Sequence, residues 1–181
     1  HKVVQEFVNE NYQIHQLFTA DSSLFSSHQS IVVSQSEMKA MSALKTPSNA
    51  LAVFAKPNEQ TLSQSKLILA LESIQDPGNL GAIIRLCDWF GIQDIVCSFD
   101  TVDCYNPKVI RSTMGSLARV QVLYRNLHAW LAEMKYCQIV ATSMDGQSVY
   151  GFPFDKPTVL VIGNEGRGLS KQMEELATNV V

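Results

Sequence analysis

Apolar positions along the chain fall into two regimes, and the second is the more regular. From residue 66 onward, short apolar runs alternate with stretches whose apolar residues recur at helical spacing. The runs at 67–71, 94–99, 120–124, 138–143 and 159–162 are too short for helices and too continuous for half-exposed strands, so they predict strands buried on both faces. Between them, residues 80–90, 107–117 and 127–135 carry helical stripes, and another follows Ser170. Gly91 supplies a C-terminal stop, Asn106 a cap before Pro107, and Ser170 a cap before the last helix. Strand and helix alternating at this spacing predict an α/β fold, a mostly parallel sheet covered by helices on both faces.

Residues 1–56 read differently, as a small α/β unit. Val3, Val4, Phe7 and Val8 form a helical stripe with no capping residue before it, as if the chain began inside a longer protein. Strands are expected at 16–19, 31–33 and 51–55, with a short helix at 37–44. His15 and His28 read as surface or packing histidines. The polar, proline-bearing stretch 57–65 lacks periodicity and reads as a linker to the domain at 66–181.

Composition narrows the setting. No apolar run reaches the eighteen or so residues that a membrane span needs, and no secretory signal opens the chain. Cys87, Cys97, Cys104 and Cys137 show neither Cys-x-x-Cys spacing nor nearby histidines, which argues against zinc and against a disulfide framework and favours a reducing cytoplasm. A net charge of -3 predicts no strong non-specific attraction to nucleic acid, while leaving room for a local basic patch.

In parallel sheets ligands bind beyond the carboxyl ends of the strands. Four turns fall there, at 72–81, 100–111, 142–146 and 163–168, and their convergence in one crevice is expected. The last reads Gly163-Asn164-Glu165-Gly166-Arg167-Gly168. It is a glycine-rich turn from a buried strand to a helix, suited to close backbone approach by a ligand or to positive φ angles. Its glycine order is neither the dinucleotide fingerprint nor a P-loop. Gly81 leaves room beside Arg85, whose guanidinium could grip a phosphate or carboxylate, or pair with Asp88 on the helix surface. Lys108 and Arg111 mark either an anion site or a solvated helix face. Glu165 could accept hydrogen bonds from a ligand or cap nearby amides. With no Ser-His-Asp, Cys-His or clustered-carboxylate arrangement, the site reads as one that positions reactants.

Three segments together resemble the SpoU (TrmH) family of RNA ribose 2′-O-methyltransferases in the SPOUT superfamily. They are Asp76-Pro77-Gly78-Asn79-Leu80-Gly81-Ala82-Ile83-Ile84-Arg85, Asn106-Pro107-Lys108-Val109-Ile110-Arg111-Ser112-Thr113-Met114-Gly115-Ser116, and Leu160-Val161-Ile162-Gly163-Asn164-Glu165-Gly166-Arg167-Gly168-Leu169-Ser170. The front part resembles, more loosely, the L30e-like RNA-binding domain that many members carry, with Thr46-Pro47-Ser48-Asn49-Ala50-Leu51-Ala52-Val53 like its closing segment.

The resemblance implies a SPOUT-type α/β knot, with the Ser-Leu-Asn-bearing segment that completes it expected beyond Val181. It implies a cytoplasmic homodimer that methylates a ribose 2′-hydroxyl of structured RNA with S-adenosylmethionine. Ribosomal RNA is the expected substrate, with transfer RNA or a non-catalytic RNA-binding role as alternatives, and neither membrane nor metal is involved. Asn79 and Arg85 would be catalytic, and Lys108 and Arg111 would contact RNA, Arg111 either within its own subunit or across a dimer interface. Thr142, Gly163, Asn164, Glu165 and Gly166 would hold the cofactor.

Overall fold

A computed structural model describes residues 1–59, 61–63 and 65–181. It divides into two compact units, His1–Asn58 and Glu59–Val181.

The first unit runs α1 (Lys2–Asn9), β1 (Ile14–Thr19), β2 (Ile31–Val32), α2 (Gln35–Met41) and β3 (Ala50–Phe54). β1 lies in the middle of a three-stranded sheet, parallel to β2 and antiparallel to β3. Val8, Leu17, Phe25 and Ala50 form its core, and Phe7 stacks on Phe54 while meeting Tyr12 edge-on. The helix expected from residue 37 begins two residues earlier because Ser34 and Glu37 close a capping box. The Glu37 amide donates to Ser34 Oγ at 3.2 Å, and the Ser34 amide donates to Glu37 Oε2 at 2.8 Å.

The second unit runs β4 (Leu67–Leu71), α3 (Pro77–Phe90), β5 (Asp94–Ser98), α4 (Pro107–Ser112), a 3₁₀ turn (Ser116–Ala118), β6 (Gln121–Arg125), α5 (Leu127–Glu133), β7 (Gln138–Ala141), β8 (Thr158–Ile162), α6 (Lys171–Leu176) and β9 (Asn179–Val180). Its sheet has the order β6-β5-β4-β8-β7-β9, and every adjacent pair is parallel. Ile68, Ala70, Val96, Val159 and Val161 face one side, where they pack with Leu127 and Leu131 of α5 and Met173 of α6. Leu69, Leu71, Ile95 and Cys97 alternate to the other side and are equally buried. There α3 contributes Leu80, Ile84 and Cys87. The expected α/β sheet with covered faces is present.

Local details depart from expectation where side chains decide. The turn expected at 76–79 is the first turn of α3, because the Asp76 carboxylate accepts from the Asn79 amide at 2.9 Å and Pro77 sits at the start. The helix expected over 107–117 stops at Ser112. Met114 and Gly115 take positive φ, 54° and 105°, and the chain resumes as the 3₁₀ turn. β9 is a strand that the periodicity did not announce. Along the stretch 57–65, Glu59 pairs with Arg125 at 2.6 Å, Leu62 packs on the core, and the Ser63 amide donates to Asp94 at 2.9 Å. Gln60 and Gln64 of that stretch lie outside the described residues.

Candidate functional site

The glycine-rich loop follows β8 and folds back on itself. The Asn164 amide donates to the Gly168 carbonyl at 3.0 Å, and the reverse bond closes at 2.9 Å. Inside the turn, Asn164 Oδ1 accepts from the amides of Gly166 and Arg167 at 3.0 and 3.1 Å. Gly163 is required by this closure. A Cβ there would stand 2.3 Å from the Gly168 carbonyl carbon and 2.4 Å from the Leu169 nitrogen. Gly168 carries the positive φ, 68°.

Three bonds tie the loop to the neighbouring strand end and to α3. Asn164 Nδ2 donates to the Ser73 carbonyl at 2.8 Å, and the Ser170 amide donates to Glu72 Oε2 at 2.8 Å. Asn79 Nδ2 donates to Glu165 Oε1 at 2.9 Å. Ser73, itself at φ 58°, continues the chain of contacts: its hydroxyl donates to Asp100, which also accepts from Ser98 Oγ at 2.5 Å. Those two hydroxyls, Ser73 foremost, hold the Asp100 carboxyl below its ordinary range, aided by the charge of Arg167. The turns after β4, β5 and β8 are thus joined, as expected of turns at the carboxyl ends of a parallel sheet.

The turn after β7 completes the arrangement. The Thr142 amide donates to the Val161 carbonyl at 3.0 Å, and its hydroxyl reaches the same oxygen at 3.2 Å. Between this turn and the glycine-rich loop opens a cavity of about 550 Å³, a volume suited to a small organic ligand. Thr142, Gly163, Asn164, Glu165 and Gly166 all line it. So do Met144, Arg167 and Glu174, which the sequence reading did not single out. Arg167 stood inside the loop and was legible; Glu174 looked like any acid in the first turn of a helix.

Asn79 reaches the cavity wall through Glu165, while Arg85, Lys108 and Arg111 lie outside the lining. All three of these cations are exposed. The pairing of Arg85 with Asp88 does not form. Asp88 is taken by Arg119, whose Nε and Nη2 donate to its two oxygens at 2.9 and 2.8 Å. Arg85 therefore has no ion-pair partner among the described residues. Gly81 also has another purpose than room for a ligand: a Cβ on it would lie 2.3 Å from Ser112 Cβ, so it lets α3 and α4 touch.

The SpoU rRNA methylase family profile matches residues 66–181, and this segment contains the cavity and the exposed cations Arg85, Lys108 and Arg111. The chain belongs to this family. Over 150 residues it is 31% identical to the 23S rRNA (guanosine(2553)-2′-O)-methyltransferase RlmP of Bacillus subtilis, covering 81% of this chain and 60% of that protein. It is 32% identical over 114 residues to a 23S rRNA (uridine(2479)-2′-O)-methyltransferase of Streptomyces viridochromogenes, covering 58% of this chain and 40% of that one. The chain therefore spans less than two thirds of these curated relatives. A solved TrmH-family structure from Porphyromonas gingivalis superimposes with a TM-score of 0.88 at 33% identity, covering 99% of this chain and 76% of that one. The SpoU methyltransferase AviRb of Streptomyces viridochromogenes, solved with AdoMet, gives 0.82 at 23% identity over 99% of this chain and 77% of its own, which is a likeness of fold.

Among the described residues no group of three or more His, Cys, Asp or Glu is placed to hold a metal ion. No helix among them is long and apolar enough to cross a membrane.

Proposed function

We propose that the protein transfers a methyl group from S-adenosylmethionine to a ribose 2′-hydroxyl of structured RNA, with ribosomal RNA the substrate. The observation that carries this reading is the hydrogen bond from Asn79 to Glu165, which joins the wall of a ligand-sized cavity to the helix bearing an unpaired Arg85. The names of the relatives, two of them 23S rRNA 2′-O-methyltransferases, support the substrate class.

The lining fits the cofactor. Its side chains bring two carboxylates, Glu165 and Glu174, against one guanidinium, Arg167, a balance that favours a cationic ligand over a polyphosphate. Ile162, Leu169 and Met144 add apolar surface for a nucleoside. Thr142, Gly163, Asn164, Glu165 and Gly166 would hold S-adenosylmethionine, which supplies an activated methyl group. The protein's own work is then alignment of the ribose oxygen and assistance to its proton loss.

Arg85 grips an RNA phosphate next to the target ribose and orients it. A guanidinium, with an ordinary pKa above about 12, is a poor general base. Asn79 supports it from one helical turn and a half earlier on α3. Lys108 and Arg111 contact the RNA backbone, Arg111 from the other subunit of a homodimer. The exposed apolar side chains Leu86, Trp89 and Phe90 on α3 support such a pairing. The first unit serves as an L30e-like RNA-binding domain, the second as a SPOUT-type methyltransferase domain, and the protein acts in the cytoplasm.

The test uses the full-length protein, a ribosomal RNA transcript and labelled S-adenosylmethionine. Arg85→Ala should abolish methyl transfer while leaving cofactor binding by calorimetry intact; unchanged transfer refutes the role. Wild-type protein that binds RNA but no S-adenosylmethionine would instead be a non-catalytic RNA-binding member of the fold.

A further inference from the structure

The charged wall of the cavity allows a more specific assignment, one that rests on the methyl-donor reading above. Of the two carboxylate side chains in the lining, one is already engaged. Glu165 Oε1 accepts from Asn79, and Arg167 acts electrostatically on Asp100 across the neighbouring strand end. Glu174, projecting from α6, differs. Its backbone is bonded within the helix, yet its carboxylate has no hydrogen-bond or ion-pair partner among the described residues. Of the carboxylate side chains that line the cavity, Glu174 is thus the one without a partner among the described residues.

We infer that Glu174 sets the cavity's preference for the cationic methyl donor over the neutral thioether left after transfer. In the reaction the bond from the sulfonium sulfur to the methyl carbon breaks and the bond from that carbon to the ribose oxygen forms. The hydroxyl proton is lost, and the electron pair of the broken bond returns to sulfur, which becomes a neutral sulfide. The loaded cofactor carries one more positive charge than the spent one, and the two are otherwise nearly isosteric. A carboxylate in the lining therefore attracts the first and is almost indifferent to the second. This makes Glu174 a specificity-determining residue that favours exchange of spent for fresh cofactor. It need not touch the reacting atoms.

Calorimetric titration of the intact protein with S-adenosylmethionine and with S-adenosylhomocysteine measures the preference directly. Glu174→Gln should lower it about three- to tenfold, by weakening the donor and leaving the thioether unchanged. Glu175→Gln removes the same charge from the adjacent residue, which does not line the cavity, and should leave the ratio as it is. A donor analogue with an ammonium in place of the sulfonium should follow S-adenosylmethionine. A ratio unchanged in Glu174→Gln, an equal weakening of both ligands, or the same effect from Glu175→Gln would each overturn the assignment. Failure of the wild-type protein to bind either ligand would overturn the cofactor reading itself, and this inference with it.

Discussion

Asn79 and Glu165 are separated by 86 positions in the chain and joined by a hydrogen bond of 2.9 Å. One stands in the first turn of α3 and the other at the tip of the glycine-rich loop, so the bond fixes the distance between the helix that presents Arg85 and the cavity wall. If that is its purpose, the two residues act as a unit. Asn79→Ala and Glu165→Ala should each lower kcat/KM for methyl transfer, and the double variant should be little worse than either single one. The expected coupling is about 0.5–1.5 kcal/mol, the usual net worth of such a bond. Additive losses in the double-mutant cycle would show that the residues serve separately.

Gly163 and Gly166 look alike in the sequence and should respond differently to the same change. Gly163→Ala brings a methyl within 2.3 Å of backbone that closes the loop, so the loop must open. A cost of about 2 kcal/mol or more and loss of S-adenosylmethionine binding are expected. The corresponding methyl at Gly166 would meet only Asn164 Oδ1 at 3.6 Å, an ordinary contact. Gly166→Ala should shift the thermal midpoint by no more than about 0.5 kcal/mol in equivalent stability. Equal effects of the two variants in parallel melting and titration experiments would contradict this division.

The carboxylate at the end of β5 makes stability depend on acid. Hydrogen bonds from Ser73 and Ser98 hold Asp100 below the ordinary carboxylate pKa, so its folded value is depressed. For a depressed acid, the stabilisation is complete above the unfolded value of about 3.9 and is lost as pH falls through the folded one. Melting temperatures recorded from pH 6 down to pH 3 should fall more steeply for the wild type than for Asp100→Asn below about pH 5. Parallel curves would mean that the two serine bonds contribute nothing that protonation removes.

The four thiols divide by burial. Cys87, Cys97 and Cys104 are buried, and burial pushes the Cys87 thiol up to about 12 and the Cys97 thiol higher still. Cys137 is half-buried in the turn between α5 and β7. A chromogenic disulfide reagent at pH 8 should therefore titrate Cys137 alone in the native protein and all four after denaturation. Rapid reaction of a second thiol without denaturant would show that the fold around it opens locally on that timescale.

How much of this could be read from the chain depended on how local the cause was. Strands β4, β5, β7 and β8 were legible because burial on both faces leaves continuous apolar runs, and their order put the ligand loops at one edge. β9 was not, since Asn179 and Val180 show no period and owe their pairing to β7 alone. The early end of α4 depended on backbone reversal at Met114, a residue type that gives no warning of positive φ. Arg85 and Asp88 sit at the spacing of a helical pair, and only the tertiary approach of Arg119 decided against it. Glu174 became a cavity residue through the placement of a whole helix, which no local pattern encodes.

The outer face of α3 supplies the last expectation. Trp89 is 84% exposed and Phe90 71%, beside exposed Leu86 on the same helix. Two consecutive aromatic side chains left in water, with an exposed leucine one turn before them, are the composition of an interface core, and removing them from water contributes roughly 1.5–3 kcal/mol each. Because neither ring packs in the fold, Trp89→Glu and Phe90→Glu should leave the melting temperature of the monomer unit nearly unchanged. If this face pairs two copies, each substitution buries a carboxylate against its symmetry mate. Light scattering on the full-length protein should then report a mass falling from two chains to one. Methyl transfer should fall with it, because Arg111 is assigned to the neighbouring subunit's site. Mixing Trp89→Glu with Arg111→Ala protein would not restore activity, whereas Arg85→Ala mixed with Arg111→Ala would recover part of it. A dimer that survives both charge substitutions would place the interface elsewhere.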